Sequence, residues 1–224
     1  MLEAVGIERK AGNRWLLENI SLSIHAGQRL ALIGPSGSGK TLLLRALAML
    51  DTIDAGEIRW RGNIVPANDV PGFRAQVMLL PQRPALPETT VEEILRQPFS
   101  LRVHRGKRFH RQRIIALLDS LGRSDAFLAK HQHDLSGGEA QLTTLLRAIQ
   151  LDPVILLLDE PTATLDSEAT GMVESLVAAW LERQPNEHRA TVWVTHDHEQ
   201  IGRVSSAVFR VRDGMISLEK LEKT

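Results

Sequence analysis

The spacing of hydrophobic and polar positions changes several times along the chain, and each change marks an element. "ISLSI" (20–24) and "RLALIG" (29–34) are rich in branched apolar residues and read as strands joined by a turn at Ala26–Gly27. "KTLLLRALAML" (40–50) switches to helical spacing. "GEIRWRG" (56–62) alternates between glycines and reads as a strand or hairpin arm, and "QVMLLPQ" (76–82) as a buried strand stopped by Pro81.

From Pro84 to about Gln150 the signals are helical. Thr90 and Glu93 form a capping-box pattern before "VEEILRQ". "RQRIIALLDSLG" (111–122) is amphipathic and ends at Gly122, a fitting C-cap. From Gly138 to Gln150, Leu142, Leu145, Leu146 and Ile149 share one helix face. Strand and helix then alternate again: "VILLL" (154–158), a helix over 167–183, "ATVWVTH" (190–196), a short helix and "SAVFRVRDG" (206–214). Runs such as "VILLL" are apolar on both faces, which argues for parallel strands covered by helices. The expected architecture is an α/β lobe built from 1–83 and 151–224, with a helical subdomain inserted at 84–150.

Composition narrows the class. The chain has 224 residues, enough for one domain with a subdomain. Lys+Arg and Asp+Glu are both 27, so no net field draws nucleic acid or anionic lipid. The basic stretch "RVHRGKRFHRQR" (102–113) reads as a solvated face or a surface for an acidic partner. There is no cysteine, which removes disulfides and thiolate metal sites and fits a reducing compartment. The N-terminus lacks the apolar core of a signal peptide, and the longest apolar run is far short of a membrane span. The expectation is a soluble, cytoplasmic protein whose membrane role, if any, runs through a partner.

Three stretches carry chemistry. "GPSGSGKT" matches the phosphate-loop pattern at Gly34, Gly39, Lys40 and Thr41, with a strand before it and a helix after. Gly34, Gly37 and Gly39 let the backbone of Gly34–Thr41, with Pro35, Ser36 and Ser38 between them, turn its N–H groups around a phosphate chain. Lys40 reaches the β- and γ-phosphates, and the Thr41 hydroxyl ligates Mg²⁺. "VILLLDE" ends a buried strand in two carboxylates. Asp159 can hold Mg²⁺ through water, and Glu160 can polarise an attacking water. Gln82 and His196 each follow a strand, so they would lie at the sheet edge where ligands bind. A polar turn and a satisfied surface histidine are the plain alternatives. His196–Asp197–His198 is a weak metal pattern, because i and i+2 share no helix face.

The third stretch is "DLSGGEAQL" (134–142). Ser136 and Glu139 fit a capping box. The box does not account for Gly137–Gly138, which weaken the first helical turn. Two glycines there would admit an anion close to the backbone N–H groups. A capped helix start and a second phosphate contact both remain open from the residues alone.

Taken in order, "GPSGSGKT", Gln82, "LSGGE" (135–139), "ILLLDE" (155–160), "TATLD" (162–166) and "VTHD" (194–197) resemble the nucleotide-binding subunit of ABC transporters over nearly the whole chain. The resemblance implies an α/β phosphate-loop NTPase lobe of RecA-like type. Its sheet would be rich in parallel strands, with an antiparallel β portion near the N-terminus and an inserted helical subdomain. It implies that two copies close head-to-tail on two ATP molecules. Ser136 and Gly138 of one copy, flanked by Gly137 and Glu139, would meet the γ-phosphate held by Lys40 of the other. Glu160 would be the general base or water-orienting carboxylate. His196 would contact the γ-phosphate and hold Glu160. Gln82 would sense Mg²⁺ and couple to a transmembrane permease, and Asp166 would meet the opposite subunit; its plain alternative is a helix N-cap.

The chain departs from the family pattern in three places. The aromatic that stacks on adenine has no Tyr to supply it, and the aligned region "IERKAGNRW" offers Arg9 or Lys10, with Trp15 or an Arg guanidinium as a substitute stacking partner. Leu142 stands where the family often has a charge. The glutamate-containing loop of fused exporters is not recognisable in "FLAKHQHDLSGGE". The short middle region and "VWVTHD" also resemble bacterial metal-resistance and iron-export ATPase subunits. The function implied is an ATPase that powers a separate permease from the cytoplasmic face of the membrane. The alternative is a non-transport member acting on nucleic acid or ribosomes. The long coiled coil or second ATPase domain of such members is absent from these 224 residues, as is net positive charge.

Overall fold

The computed structural model describes residues 1–183 and 189–219, which divide into two compact units. The first unit comprises Met1–Leu79, Val154–Glu160 and the described residues from Arg189 on.

Two sheets build the first unit. A long hairpin, β1 (Leu2–Ala11) and β2 (Arg14–Ile24), joins β4 (Ala55–Trp60) and β5 (Asn63–Ile64) in an antiparallel sheet of order β2-β1-β4-β5. The second sheet contains β3 (Arg29–Ile33), β6 (Val77–Leu80), β7 (Ile155–Asp159), β8 (Ala190–Val194), β9 (Ala207–Arg212) and β10 (Met215–Glu219). Its order is β10-β9-β3-β8-β7-β6. β9, β3, β8 and β7 pair in parallel, and β10 closes the edge antiparallel to β9.

Every residue of β7 and β8 is buried, as expected of strands covered on both faces. Leu30, Leu32, Val192, Val194, Ile155 and Leu157 pack with Leu43, Leu44 and Leu47 of helix α1 (Lys40–Leu47) and with the antiparallel sheet. The alternate residues Ala31 and Ile33 pack with Val208 and with Ile201 of helix α7 (His198–Val204). A further short helix, α2 (Val70–Arg74), places Phe73 in the first cluster.

The antiparallel portion implied by the resemblance is present near the N-terminus, although the residue pattern alone marks neither β1 nor the first half of β2 as strand. Their burial parity breaks where the hairpin is irregular: Leu2 and Ala4 are buried, then Ile7; Leu17 is buried, then Ile20, Leu22 and Ile24. The register shifts between Ala4 and Ile7, where Gly6 and Asn19 both take positive φ, and the Gly6 N–H donates to the Ser21 hydroxyl at 3.0 Å. A bulged pair loses the strict alternation by which strands are read from sequence.

The second unit comprises Leu80–Pro153 and the described residues from Pro161 on, through Arg183. It contains α3 (Val91–Arg96), α4 (Arg111–Ser120), α5 (Gly137–Ile149) and α6 (Ser167–Glu182), linked by short 3-10 turns. The expected capping box on α3 is present, with Thr90 and Glu93 exchanging backbone and side-chain hydrogen bonds. α6 groups with these helices, whereas the sequence reading counts 161–183 with the α/β lobe. A short α4–α6 contact, with Met172 against Gly122, accounts for the difference.

Leu157 is fully buried in β7 and Leu218 is 66% exposed on β10. Leu157→Ala is expected to cost about 2–5 kcal/mol, which lowers the melting temperature by roughly 5 °C or more in a chain of this size. Leu218→Ala should stay within about 0.5 kcal/mol. Thermal denaturation of both variants checks this; equal shifts would contradict the assignment of β7 to the core.

Candidate active site

The parallel register fixes one edge of the large sheet. Leu32 pairs with Val194, and Val194 with Asp159, so β3, β8 and β7 end in one row. The chain leaving β3 is the glycine loop, the chain leaving β8 reaches His196, and the chain leaving β7 is Glu160.

Gly34 opens the loop at φ 144°, and a Cβ there would lie 2.1 Å from the Val211 carbonyl oxygen. Only glycine fits between the loop and β9. Pro35, Ser36 and Gly37 are exposed, whereas the Ser38 hydroxyl is buried without a hydrogen-bond partner. Gly39 is the N-cap of α1 and has no side chain to cap it, so the first N–H groups of the helix are left for other acceptors. An orphaned hydroxyl, uncapped amides and a lysine within one turn suit a phosphate chain.

Lys40 is 6% exposed, and its Nζ donates to the carbonyls of Gly34 (2.8 Å) and Pro35 (2.9 Å). Burial holds its pKa below the usual lysine value, and the nearby charges of Glu160 and Asp159 work the other way. The Thr41 hydroxyl donates to Asp159 Oδ2 at 2.8 Å. Burial pushes the Asp159 carboxyl above its ordinary value; the Thr41 hydrogen bond opposes this, while the Glu160 charge adds to it. A hydroxyl and a carboxylate converging beside the glycine loop form an oxygen donor set of the kind that suits Mg²⁺.

Glu160 takes φ 49°, an uncommon value for a residue with a side chain. Its N–H donates to the Val194 carbonyl at 3.1 Å, which anchors the turn to β8. Its carboxylate lies 3.1 Å from His196 Nε2. Strained backbone held by a neighbouring strand is a common device for aiming a functional side chain. Asp197, by contrast, caps α7 by accepting from the N–H groups of Glu199 and Gln200. No group of three or more metal-ligating side chains occurs among the described residues.

Arg9 and Trp15 lie on the β1–β2 hairpin. The Arg9 guanidinium donates to Thr52 Oγ1 at 2.7 Å and Asp54 Oδ1 at 3.2 Å. The Lys10 ammonium sits 3.6 Å from the Trp15 ring centroid. The next residue, Leu16, turns its carbonyl against Gly39, so this part of β2 runs beside the glycine loop.

Gln82 belongs to the second unit, where the preceding Pro81 carbonyl accepts from Gln141 of α5 at 3.3 Å. Ser136 caps α5 as expected: its hydroxyl accepts from the Glu139 N–H (3.2 Å), and the Glu139 carboxylate accepts from the Ser136 N–H (3.1 Å). The Gly138 position also has a packing reason. A Cβ there would meet Leu165 at 2.7 Å and the Thr164 carbonyl oxygen at 3.3 Å. Gly137 is exposed, and a Cβ there would meet only the Thr164 side chain, at ordinary contact distance. Asp166 takes its plain role as N-cap of α6, accepting from the Ala169 N–H at 2.8 Å. Leu142 is buried, so no charge could stand there without a partner.

Lys130 escapes the sequence reading. Its Nζ is 2.7 Å from Glu139 Oε1. A separation of nine residues across an irregular segment has no periodic signature. Burial would raise the Glu139 pKa, but Lys130, the Ser136 N–H and the charge of Arg123 together hold it below the usual carboxylate value.

Comparison with known proteins accords with this layout. The chain is 39% identical to a sulfate/thiosulfate import ATP-binding protein of Bordetella bronchiseptica, over 96% of this chain and 60% of that protein. It therefore spans less than two thirds of the length of that relative. It is 33% identical to a phosphate import ATP-binding protein of Natronomonas pharaonis, over 96% of this chain and 78% of that protein. The fold matches a dimeric ATP-binding cassette solved in a post-hydrolysis state with ADP and Pi, at a TM-score of 0.86 and 26% identity over 100% of both chains. Residues 17–163 match the family model described as ABC transporter, and with the phosphate loop, the Asp159–Glu160 strand end and the glycine-backed start of α5 all in place, the chain belongs to the ABC transporter family.

Proposed function

We propose that the chain binds and hydrolyses ATP to drive a separate transmembrane permease, and that each ATP is held between two copies of the chain. The observation that carries the reading is the sheet edge where Lys40, Thr41–Asp159 and Glu160–His196 come together. The glycine loop and Lys40 would hold the phosphates. Thr41 and Asp159 would hold Mg²⁺, which supplies neutralisation of charge on the β- and γ-phosphates.

Glu160 orients a water against the γ-phosphorus and draws off its proton. The water oxygen forms a bond to phosphorus as the bond to the β–γ bridging oxygen breaks, giving ADP and phosphate. His196 keeps the Glu160 carboxylate aimed through the 3.1 Å contact. Gln82 keeps the coupling role implied by the family resemblance. Arg9 or Trp15 would border the base; the loop-side course of β2 favours Trp15.

The second copy is supported by Ser136. Its oxygen already accepts from the Glu139 N–H, so the hydroxyl proton is left to donate to an acceptor beyond the helix. The exposed Gly137 adds an unshielded amide. A solved cassette similar to this chain over its whole length is dimeric, which supports the same arrangement.

No helix among the described residues is long and apolar enough to cross a membrane, so in this reading the crossing is assigned to a permease partner. Work at the cytoplasmic face of a membrane follows from that partnership. The relatives named above carry import in their names, which favours inward transport over the likeness to iron-export subunits. Their cargoes differ, so cargo choice belongs to the permease.

Glu160→Gln is expected to lower hydrolysis at least about 100-fold and to accumulate an ATP-bound dimer on size exclusion. Turnover near the wild-type rate would remove Glu160 from the base role. Ser136→Arg should abolish hydrolysis while leaving ATP binding by the monomer intact; loss of monomer binding would mean that this serine acts within its own chain.

A further inference from the structure

We infer that Lys130 is a positioning residue for hydrolysis, one that neutralises Glu139 so that the start of α5 can accept the γ-phosphate of a partner copy. The inference rests on the two-chain reading above.

Glu139 serves the cap with one carboxylate oxygen and meets Lys130 with the other. The cap needs an acceptor at this position and does not need a negative charge. Yet a carboxylate at the start of α5 stands where a triphosphate would arrive, and like charges brought together there oppose closure. Glu139 is mostly withdrawn from solvent, with its side chain 12% exposed, so water screens it poorly. Lys130 supplies the missing positive charge at 2.7 Å.

The backbone holds Lys130 in place for this. Its carbonyl accepts from the Val91 N–H at 2.9 Å, and the Gln132 N–H donates to the Thr89 carbonyl at 3.0 Å. A short antiparallel bridge, Thr90 with His131, thus ties the segment before α5 to the capped start of α3. Lys130 is carried on that bridge, so its reach to Glu139 is set by ordered backbone.

The test is a double-mutant cycle on the full chain, following ATP turnover against ATP concentration. Lys130→Met should raise the half-saturating ATP concentration about five- to tenfold, with the saturating rate within about twofold, because an unpaired charge opposes closure and leaves the chemistry intact. Lys130→Arg should restore the wild-type curve. In a Glu139→Gln background, Lys130→Met should cause no further change relative to Glu139→Gln alone, since the amide keeps an acceptor for the cap without the charge. An unchanged curve for Lys130→Met, or an equal shift in both backgrounds, overturns the inference; the latter would mean that Lys130 acts by packing. Ser136→Arg run alongside separates the two layers. If it retains hydrolysis, the two-chain reading itself fails. If it is inactive while Lys130→Met behaves as wild type, only the role of Lys130 fails.

Discussion

Parallel hydrogen bonding between β3, β8 and β7 aligns Leu32, Val194 and Asp159 in one row. The candidate chemistry of the first unit depends on that row. Three chain segments that are far apart in sequence leave the sheet at the same edge, so Lys40, Asp159, Glu160 and His196 meet without any of them being near neighbours in the chain apart from the carboxylate pair. The row is stable because β7 and β8 are apolar on both faces and buried on both faces. The charged groups of the site gather where the strands end, and there they meet partners: Thr41 for Asp159, His196 for Glu160, backbone carbonyls for Lys40.

The second unit solves a different problem, that of presenting a helix start. The first turn of α5 carries two glycines, and the structure divides their duties. At Gly138 a Cβ would press on the Leu165 side chain and sit tightly against the Thr164 carbonyl, which is a packing constraint. Gly137 meets no such constraint and stays open. In the capping box the Ser136 oxygen accepts from the Glu139 N–H, which leaves the hydroxyl proton available to an acceptor. The cap is present, and the proposed phosphate contact would use the same helix start without displacing it.

Much of this was legible in the sequence. The buried runs "RLALIG", "VILLL" and "ATVWV" marked β3, β7 and β8 because strands covered on both faces need no alternation. The glycine loop, the strand-end carboxylates and both capping boxes are local patterns, and local patterns survive folding. What escaped was non-local or irregular. The β1–β2 hairpin lost its alternation to bulges near Gly6 and Asn19. The positive φ of Glu160 depends on β8, which lies over thirty residues away. The wall that Leu165 makes against Gly138, and the reach of Lys130 to Glu139, depend on segments brought together only by the fold. The grouping of α6 with the helices follows from the same kind of contact.

The claim that unites the two units is that one ATP is held by two chains. Mixing two inactive variants tests it most directly. Lys40→Ala removes the phosphate grip and Ser136→Arg blocks the start of α5, so neither chain alone can build a working site. A mixed pair joins the intact Lys40 of one chain to the intact Ser136 of the other and builds one complete site. ATP turnover measured on an equimolar mixture should therefore return to a clear fraction of the wild-type rate, at most about one quarter if chains pair at random and each complete site works independently. A mixture that stays as inactive as its components, at concentrations where the wild-type chain turns over ATP, would contradict the account.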